Sequence, residues 1–311
     1  MMIKANPLWQ CSLLAASLTS VIWLSSVTAT AAEKLDVLKN ETPINAPANP
    51  DAIGKIPAGF HFIEPGYLTV ATSATNSPPL ALLASDNKTR IGSDPDIARL
   101  LADSLGLKLR LVPASWEDWP LGIAAGRYDV AMFNIAVTEE RKKKFDFATY
   151  RSDNHAFSVK ANSPIAVINS PKDVAGKKII VASGTNQERI LLSWDQQNRE
   201  KGLAPVEPIY LTDDASATLS LLSGRADAMF GPHSIAAWKV ASRGQTKLVG
   251  NGPFRAWVAV TTKKGNGLAP ALQTALDGTI AGGQYQQVLQ RWGEQDEAIA
   301  HSTVNPQGIV Y

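Results

Sequence analysis

The sequence predicts an α/β protein built as two similar lobes, each a mostly parallel sheet flanked by helices. Strand-like segments alternate with segments of helical periodicity, which implies parallel pairing and right-handed crossovers. The pattern Gly-Arg-x-Asp occurs twice, at Gly126, Arg127 and Asp129 and again at Gly224, Arg225 and Asp227, each time where a helix gives way to a strand. At 311 residues, 45% hydrophobic and 19% charged, the chain has material for one large or two medium domains.

The N-terminal segment reads as an export signal over residues 1–32. Lys4 supplies the positive region, Leu13 to Leu24 the apolar core, and the small residues ending at Ala31 and Ala32 the cleavage region. The single cysteine, Cys11, precedes the apolar core, so it is not placed as a lipoprotein cysteine. A free periplasmic protein without cysteine is expected, folding on its core alone. Residues 33–66 are polar, rich in proline and without periodicity, and are read as an N-terminal extension.

A first strand is expected at Tyr67 to Ser73, followed by a polar hairpin-like segment. The next helix has Asp94 as its cap, Pro95 at its first position and Ile97, Leu100, Leu101 and Leu105 on one face, and Gly106 ends it. Leu107, Leu109 and Leu111 alternate with Lys108 and Arg110 as in a strand, and a short helix is expected from Trp116 to Ala125. The second lobe repeats the plan: a helix at Pro171, a strand at KKIIVASG, a helix from Thr185, a strand at VEPIYL, then a helix leading to the strand in RADAMFGP. The strand RAWVAVTTKKG and two helices, APALQTALDG and GQYQQVLQRWG, follow. Asp129 and Asp227 are expected to fix helix-to-strand junctions and to leave ligand alone.

The chain is organised around Gly126 to Tyr150. Val130 to Val137 is apolar apart from Asn134 and reads as a buried strand. Thr138 caps a helix start with Glu139 and Glu140 in its first turn, and Arg141 follows them at the carboxyl end of that strand. That edge of an open parallel sheet is where ligands bind, so Arg141 is the expected holder of an acidic group on a small molecule.

The ordered set GSDPDIARLLADSLG, GRYDVAMFNIAVTEER, KKFDFATY, KKIIVASGTNQE, LLSGRADAMF and GQYQQVLQRWG resembles the family 3 periplasmic solute-binding proteins, the amino-acid receptors of ABC importers. The resemblance covers roughly Tyr67 to Gly293. It implies a type II periplasmic-binding-protein fold with a two-strand hinge, near Tyr150 to Phe157 and Gly250 to Trp257. The implied bounds are 67–154 for the first part of lobe 1, 155–253 for lobe 2 and 254–311 for the return to lobe 1 with the C-terminal helices. Ligand in the cleft would favour a closed form that ABC permease membrane subunits recognise.

By the same resemblance Arg141 clasps the ligand carboxylate, and Gly184, Thr185 and Asn186 meet it from the second lobe. Phe133 is implied as a pocket wall and Asn134 as a hydrogen-bonding group, with Trp116, Trp119 and Tyr150 as further walls. The amine end departs from the pattern. Ala136 stands where the family usually has Ser or Thr, Pro232 followed by His233 where it has an acid, and Ser77 and Leu80 where an aromatic often stacks. Either the ligand lacks a standard α-ammonium or another acid, Asp213, Asp214 or Glu188, has moved in.

Other classes have little support. The net charge of +2 gives no case for nucleic acid, and nucleophile-elbow, zinc-protease and phosphate-loop motifs are missing. His61, His155, His233 and His301 lack metal-ligand spacing, so neither metal nor cofactor is expected. A monomeric binding protein for an amino acid or related small organic acid is the expectation. A lyase of cyclic carboxylic acids on the same scaffold, with His233 or Glu188 as acid or base, and a sensor subunit for a membrane receptor are the alternatives.

Overall fold

The computed structural model describes residues 40–311; the export segment expected over 1–32, with Cys11, lies outside the described residues. The first part contains α1 (Pro50–Gly54), β1 (Tyr67–Ser73), the short strands β2 (Leu82–Leu83) and β3 (Arg90–Ile91), α2 (Ser93–Ser104), β4 (Lys108–Ala114), α3 (Trp119–Ala124), β5 (Val130–Ala131) and α4 (Glu139–Lys142). The long β6 (Phe145–Lys160) leads to α5 (Pro171–Val174), β7 (Lys178–Val181), α6 (Asn186–Glu200), β8 (Glu207–Tyr210), α7 (Asp214–Leu222), β9 (Ala228–Pro232) and α8 (His233–Arg243). The equally long β10 (Thr246–Lys263) returns the chain to α9 (Ala269–Ala281) and α10 (Gln284–Trp292).

Eight strands form one sheet in the order β4-β1-β5-β10-β6-β9-β7-β8. At one end β1 pairs in parallel with β4 and β5; at the other β7 pairs in parallel with β8 and β9. Between them β6 and β10 run antiparallel along most of their length, with register shifts between Leu248 and Gly250 and between Asn251 and Arg255. These two strands serve both lobes. Such bulges break the ladder and let paired strands bend, which suits a crossing point.

Each half of the sheet is covered on both faces. In the first lobe, Leu68, Val70, Ile97, Leu101, Leu272, Val288 and Trp292 make one core and Trp119, Ile123, Tyr128, Ile135 and Phe147 another. In the second, Ile179 and Val181 face Ile190, Leu191 and Trp194 of α6, while Ile180 faces Ala217 and Leu221 of α7. Side chains alternate across a strand, so two covered faces make the strands read as unbroken apolar runs. Phe157 and Phe230 stack at 4.0 Å between centroids in the second core.

The repeated aspartates occupy equivalent junctions. Asp129 accepts from Thr69 N at 2.8 Å and Ile63 N at 2.9 Å, and Asp227 accepts from Lys178 N at 2.8 Å. Each carboxylate thereby fixes the start of the neighbouring parallel strand.

Three local expectations need correction. The strand expected over Val130 to Val137 ends at Ala131. Asn134 turns out of it at φ 53°, because its backbone and side chain are bonded to buried charged groups. Asp94 does not cap α2: the N-cap is Gly92, with no side-chain bond, and Asp94 lies inside the helix facing the core. The helix expected from Trp116 begins at Trp119. The described part of the extension is ordered: Asn49 caps α1, and Ile44, Ile56, Phe60 and Phe62 pack on the first core. Its apolar residues follow no period because they are held by an irregular path across that core.

Candidate functional site

Two cavities lie between the lobes. The first, about 320 Å³, has walls from both: Ser73, Ser77, Leu80, Phe133 and Asn134 on one side, Ile180, Leu211, Met229, Phe230 and Pro232 on the other. Most of this lining is apolar, which suits a ligand with a hydrophobic body and few polar handles. Three of its four carboxylates are already engaged, and the fourth, Glu117, is exposed at the rim with no bonded partner among the described residues. Asp94 accepts from Tyr150 Oη at 2.5 Å and from Asn134 N at 3.2 Å. Asp213 caps α7 by accepting from Ser216 N at 2.8 Å, and Asp214 is ion-paired with the buried Lys239.

Arg141 belongs to the second cavity, about 410 Å³, with Trp116, Trp119, Gly184, Arg189 and Tyr311. Trp116, Thr185 and Asn186 line both cavities. The local sequence explains where Arg141 stands: Thr138 caps α4 by accepting from Arg141 N at 3.1 Å, which starts the helix beside the cleft. The guanidinium donates to Ala136 O at 2.9 Å within its own lobe and to Gly184 O at 3.2 Å across the cleft. It lies over the rings of Trp116 and Trp119, 5.4 and 5.8 Å from their centroids. Desolvation lowers its pKa to about 10, so it is charged at neutral pH, and among the described residues no carboxylate is paired with it.

The facing helix start is equally local in origin. Thr185 caps α6, accepting from Glu188 N at 3.1 Å and donating to Ala182 O at 2.6 Å. Glu188 accepts from Gly184 N at 2.6 Å, so this carboxylate is tied to the turn and does not line either cavity. The Asn186 amide donates to Nε2 of the buried His155 at 2.7 Å. Burial pushes the imidazole of His155 down to about 4, so it is neutral and its Nε2 accepts.

Behind the first cavity, where β6 passes between lobes, sits a buried ionic cluster that sequence reasoning missed. Arg151 is fully buried, bonded to Glu297, 3.6 Å from Glu294 and donating to Asn134 Oδ1 at 2.6 Å. Asn134 in turn donates to Asp153 at 2.9 Å. Three carboxylates, Glu294, Glu297 and Asp153, surround one guanidinium, and the consequences differ. Desolvation raises Glu294 to about 8 and Asp153 to about 7. Burial would raise Glu297 too, but Arg151 and His233 outweigh it and hold that group below the usual range. His233 Nδ1 lies 3.6 Å from Glu297, and that bond raises the imidazole.

The structure therefore brings Phe133, Asn134, Thr185, Asn186 and Pro232 to the first cavity and Arg141, Gly184, Thr185 and Asn186 to the second. Ala136 contributes its carbonyl to Arg141, and His233 faces the buried cluster. Tyr150, expected as a wall, is fully buried against Asp94. Arg151, Glu294, Lys239, His155 and Tyr311 were not singled out. For Lys239 the available signal was weak, a lone basic residue within the apolar and small-residue run SIAAWKVA, and Arg151 stands in the polar stretch RSDNH, which carries no such signal. Among the described residues no group of three or more His, Cys, Asp or Glu is arranged to hold a metal ion, and no helix is long and apolar enough to cross a membrane.

Comparison with known proteins agrees with this architecture. The L-cystine-binding protein TcyJ of Escherichia coli (strain K12) is 29% identical over 231 residues, covering 74% of this chain and 83% of that protein. The cyclohexadienyl dehydratase of Pseudomonas aeruginosa is 28% identical over 176 residues, covering 54% of this chain and 59% of the enzyme. A solved ancestral arginine-binding protein bound to arginine superposes with a TM-score of 0.65 at 27% identity, over 73% of this chain and 98% of that one. The family model for the bacterial extracellular solute-binding proteins, family 3, matches residues 68–295. With that match spanning most of the sequence, the chain belongs to the bacterial extracellular solute-binding proteins, family 3.

Proposed function

We propose that this protein captures an amino acid or a related small organic acid between its lobes and delivers it, by hinge closure, to the membrane subunits of an ABC importer. The observation that carries the reading is Arg141: a desolvated guanidinium on two indole faces, held by carbonyls from both lobes and, among the described residues, lacking a carboxylate partner. Such a cation is set up to take an anionic group, and a carboxylate can engage it with parallel charge-assisted bonds. The moving bodies in this reading are residues 67–154 with 254–311, and 155–253.

Thr185 and Asn186 are the second-lobe partners of the same group, and Phe133, Asn134 and Pro232 face the ligand body. With Asp94, Asp213 and Asp214 already bonded, the deep part of the first cavity suits a largely apolar ligand body, and Glu117 at the rim is the one lining acid among the described residues left for an ammonium. The binding reading is favoured over catalysis because the suspected acid–base groups, His233 and Glu188, are held by Glu297 and Gly184 away from the first cavity.

The test is calorimetric titration of the chain from Glu33 onward, unfolded and refolded, against amino acids and their deaminated, sulfonated and cyclic counterparts. Arg141→Ala should weaken binding at least about thirtyfold, the low end of what truncating one partner of a buried charged contact costs. Affinity within threefold of the parent would overturn the carboxylate assignment. Heat continuing after saturation would instead indicate turnover, as in the dehydratase relative.

A further inference from the structure

The family match ends at residue 295, yet the chain continues along the first lobe toward the cleft. Thr303 and Thr149 exchange bonds, with Thr149 N donating to Thr303 O at 3.1 Å and Thr303 N to Thr149 Oγ1 at 2.8 Å. Asn305 N donates to Phe147 O at 3.0 Å, and the Asn305 side chain accepts from Phe147 N at 2.9 Å. Farther on, Gly308 N donates to Glu139 at 2.7 Å, Ile309 N to Val137 O at 3.1 Å and Glu139 N to Ile309 O at 3.2 Å. Gly308 passes so close to Thr138 that an added Cβ would meet its carbonyl carbon at 2.7 Å. This is a fitted strap, bonded in sequence to β6, the segment before α4, and α4 itself.

The strap delivers Tyr311 to the second cavity, beside Arg141. There the guanidinium of Arg189, from the second lobe, lies 5.8 Å from the phenol ring, while Arg189 also pairs with Glu140 of the first lobe at 2.5 Å. Beside these, Trp116 Nε1 donates to Ser183 O at 3.0 Å and Arg141 to Gly184 O. The phenol, raised to about 12 by burial, stays protonated and offers a neutral aromatic face to Arg189 in the cavity that Arg141 also lines. The basic groups of the rim would otherwise face each other across the cleft with Glu140 as the paired acid.

We infer that Tyr311 is a latch residue: carried on the strap beyond the family match, it bridges the first lobe to Arg189 and stabilises the closed arrangement around Arg141. The inference rests on the hinge-closing reading but needs no ligand to test. Spin labels on Lys143→Cys and Gln196→Cys, both exposed and on α4's rim and α6, report lobe separation by pulsed dipolar spectroscopy in the chain from Glu33 onward, where no other cysteine remains.

Without ligand, Tyr311→Ala should shift the population two- to fivefold toward the longer distance, the effect of losing one rim cation–π contact. Tyr311→Phe, which keeps the ring, should match the parent. A chain ending after Asn305 should behave like Tyr311→Ala. An unchanged distance distribution in the alanine variant, or a shift to shorter distances as expected of a wedge, would overturn the inference. A failure of Arg141 to bind anions would leave these distances unaffected, so the two readings fail separately.

Discussion

Replacing Glu294 by Gln should remove a loss of stability that runs from about pH 4.5 toward 8 and is unopposed by His155 above 6.5. Glu294 has no exposed side-chain surface, and neither of its oxygens has a hydrogen-bond partner among the described residues. Desolvation therefore dominates and lifts its pKa from 4.5 to about 8. The folded chain holds this proton where the unfolded chain has released it. The contribution is complete below pH 4.5 and falls by roughly 1.4 kcal/mol per pH unit as the pH rises toward 8. His155 works in the opposite direction, since its depressed pKa makes the folded state resist protonation, but only between about 4 and 6.5. From pH 6.5 to 8 Glu294 acts without that compensation, and integration gives a loss of roughly 2 kcal/mol over this window. Asp153, at about 7, and His233, also raised, add losses of the same sign. The assay is urea unfolding at pH 6.5 and 8.0 for the parent and Glu294→Gln. The parent should lose roughly 2 kcal/mol more than the variant across the interval. Equal losses would refute the reasoning, showing that Glu294 is ionised throughout and that Arg151 compensates its burial.

Two other outcomes follow from local geometry. The His155 ring resonances should stay constant from pH 8 to 5 and move only near pH 4; a midpoint near 6.5 in an NMR titration would show that the ring is hydrated. Gly250→Ala should destabilise the fold by more than about 2 kcal/mol in the same urea assay, because a Cβ there would lie 1.8 Å from Ile168 O, a backbone atom that cannot rotate away. A loss under 0.5 kcal/mol would mean the bulge in β10 repacks freely.

Much of the architecture was legible because its causes lie close together along the chain. Thr138 and Thr185 cap helices three residues away, and Asp129 and Asp227 recur in matching positions before strands. Arg141 could be placed at the cleft from its own sequence neighbourhood, since its helix start follows a buried strand. The reading of Val130 to Val137 as one strand failed for the complementary reason. Hydropathy there is uniform, and what turns the chain at Asn134 is bonding to Asp94, Arg151 and Asp153, residues drawn from other elements.

The sequence by itself determined the order of strands and helices, the doubled plan, the family and the place of Arg141 at a helix start beside the cleft. Caps, periodicity and turn residues carry that information within a turn or two of helix. Only the tertiary structure decided that Arg141 and the apolar walls occupy two adjoining cavities, and that Lys239 supplies Asp214 with its counterion. It also decided that Arg151 meets Glu297 146 positions away and that Tyr311 reaches Arg189. Those partners are chosen by where long strands cross and by what each buried charge needs, and burial is a property of the folded chain, not of any segment of it.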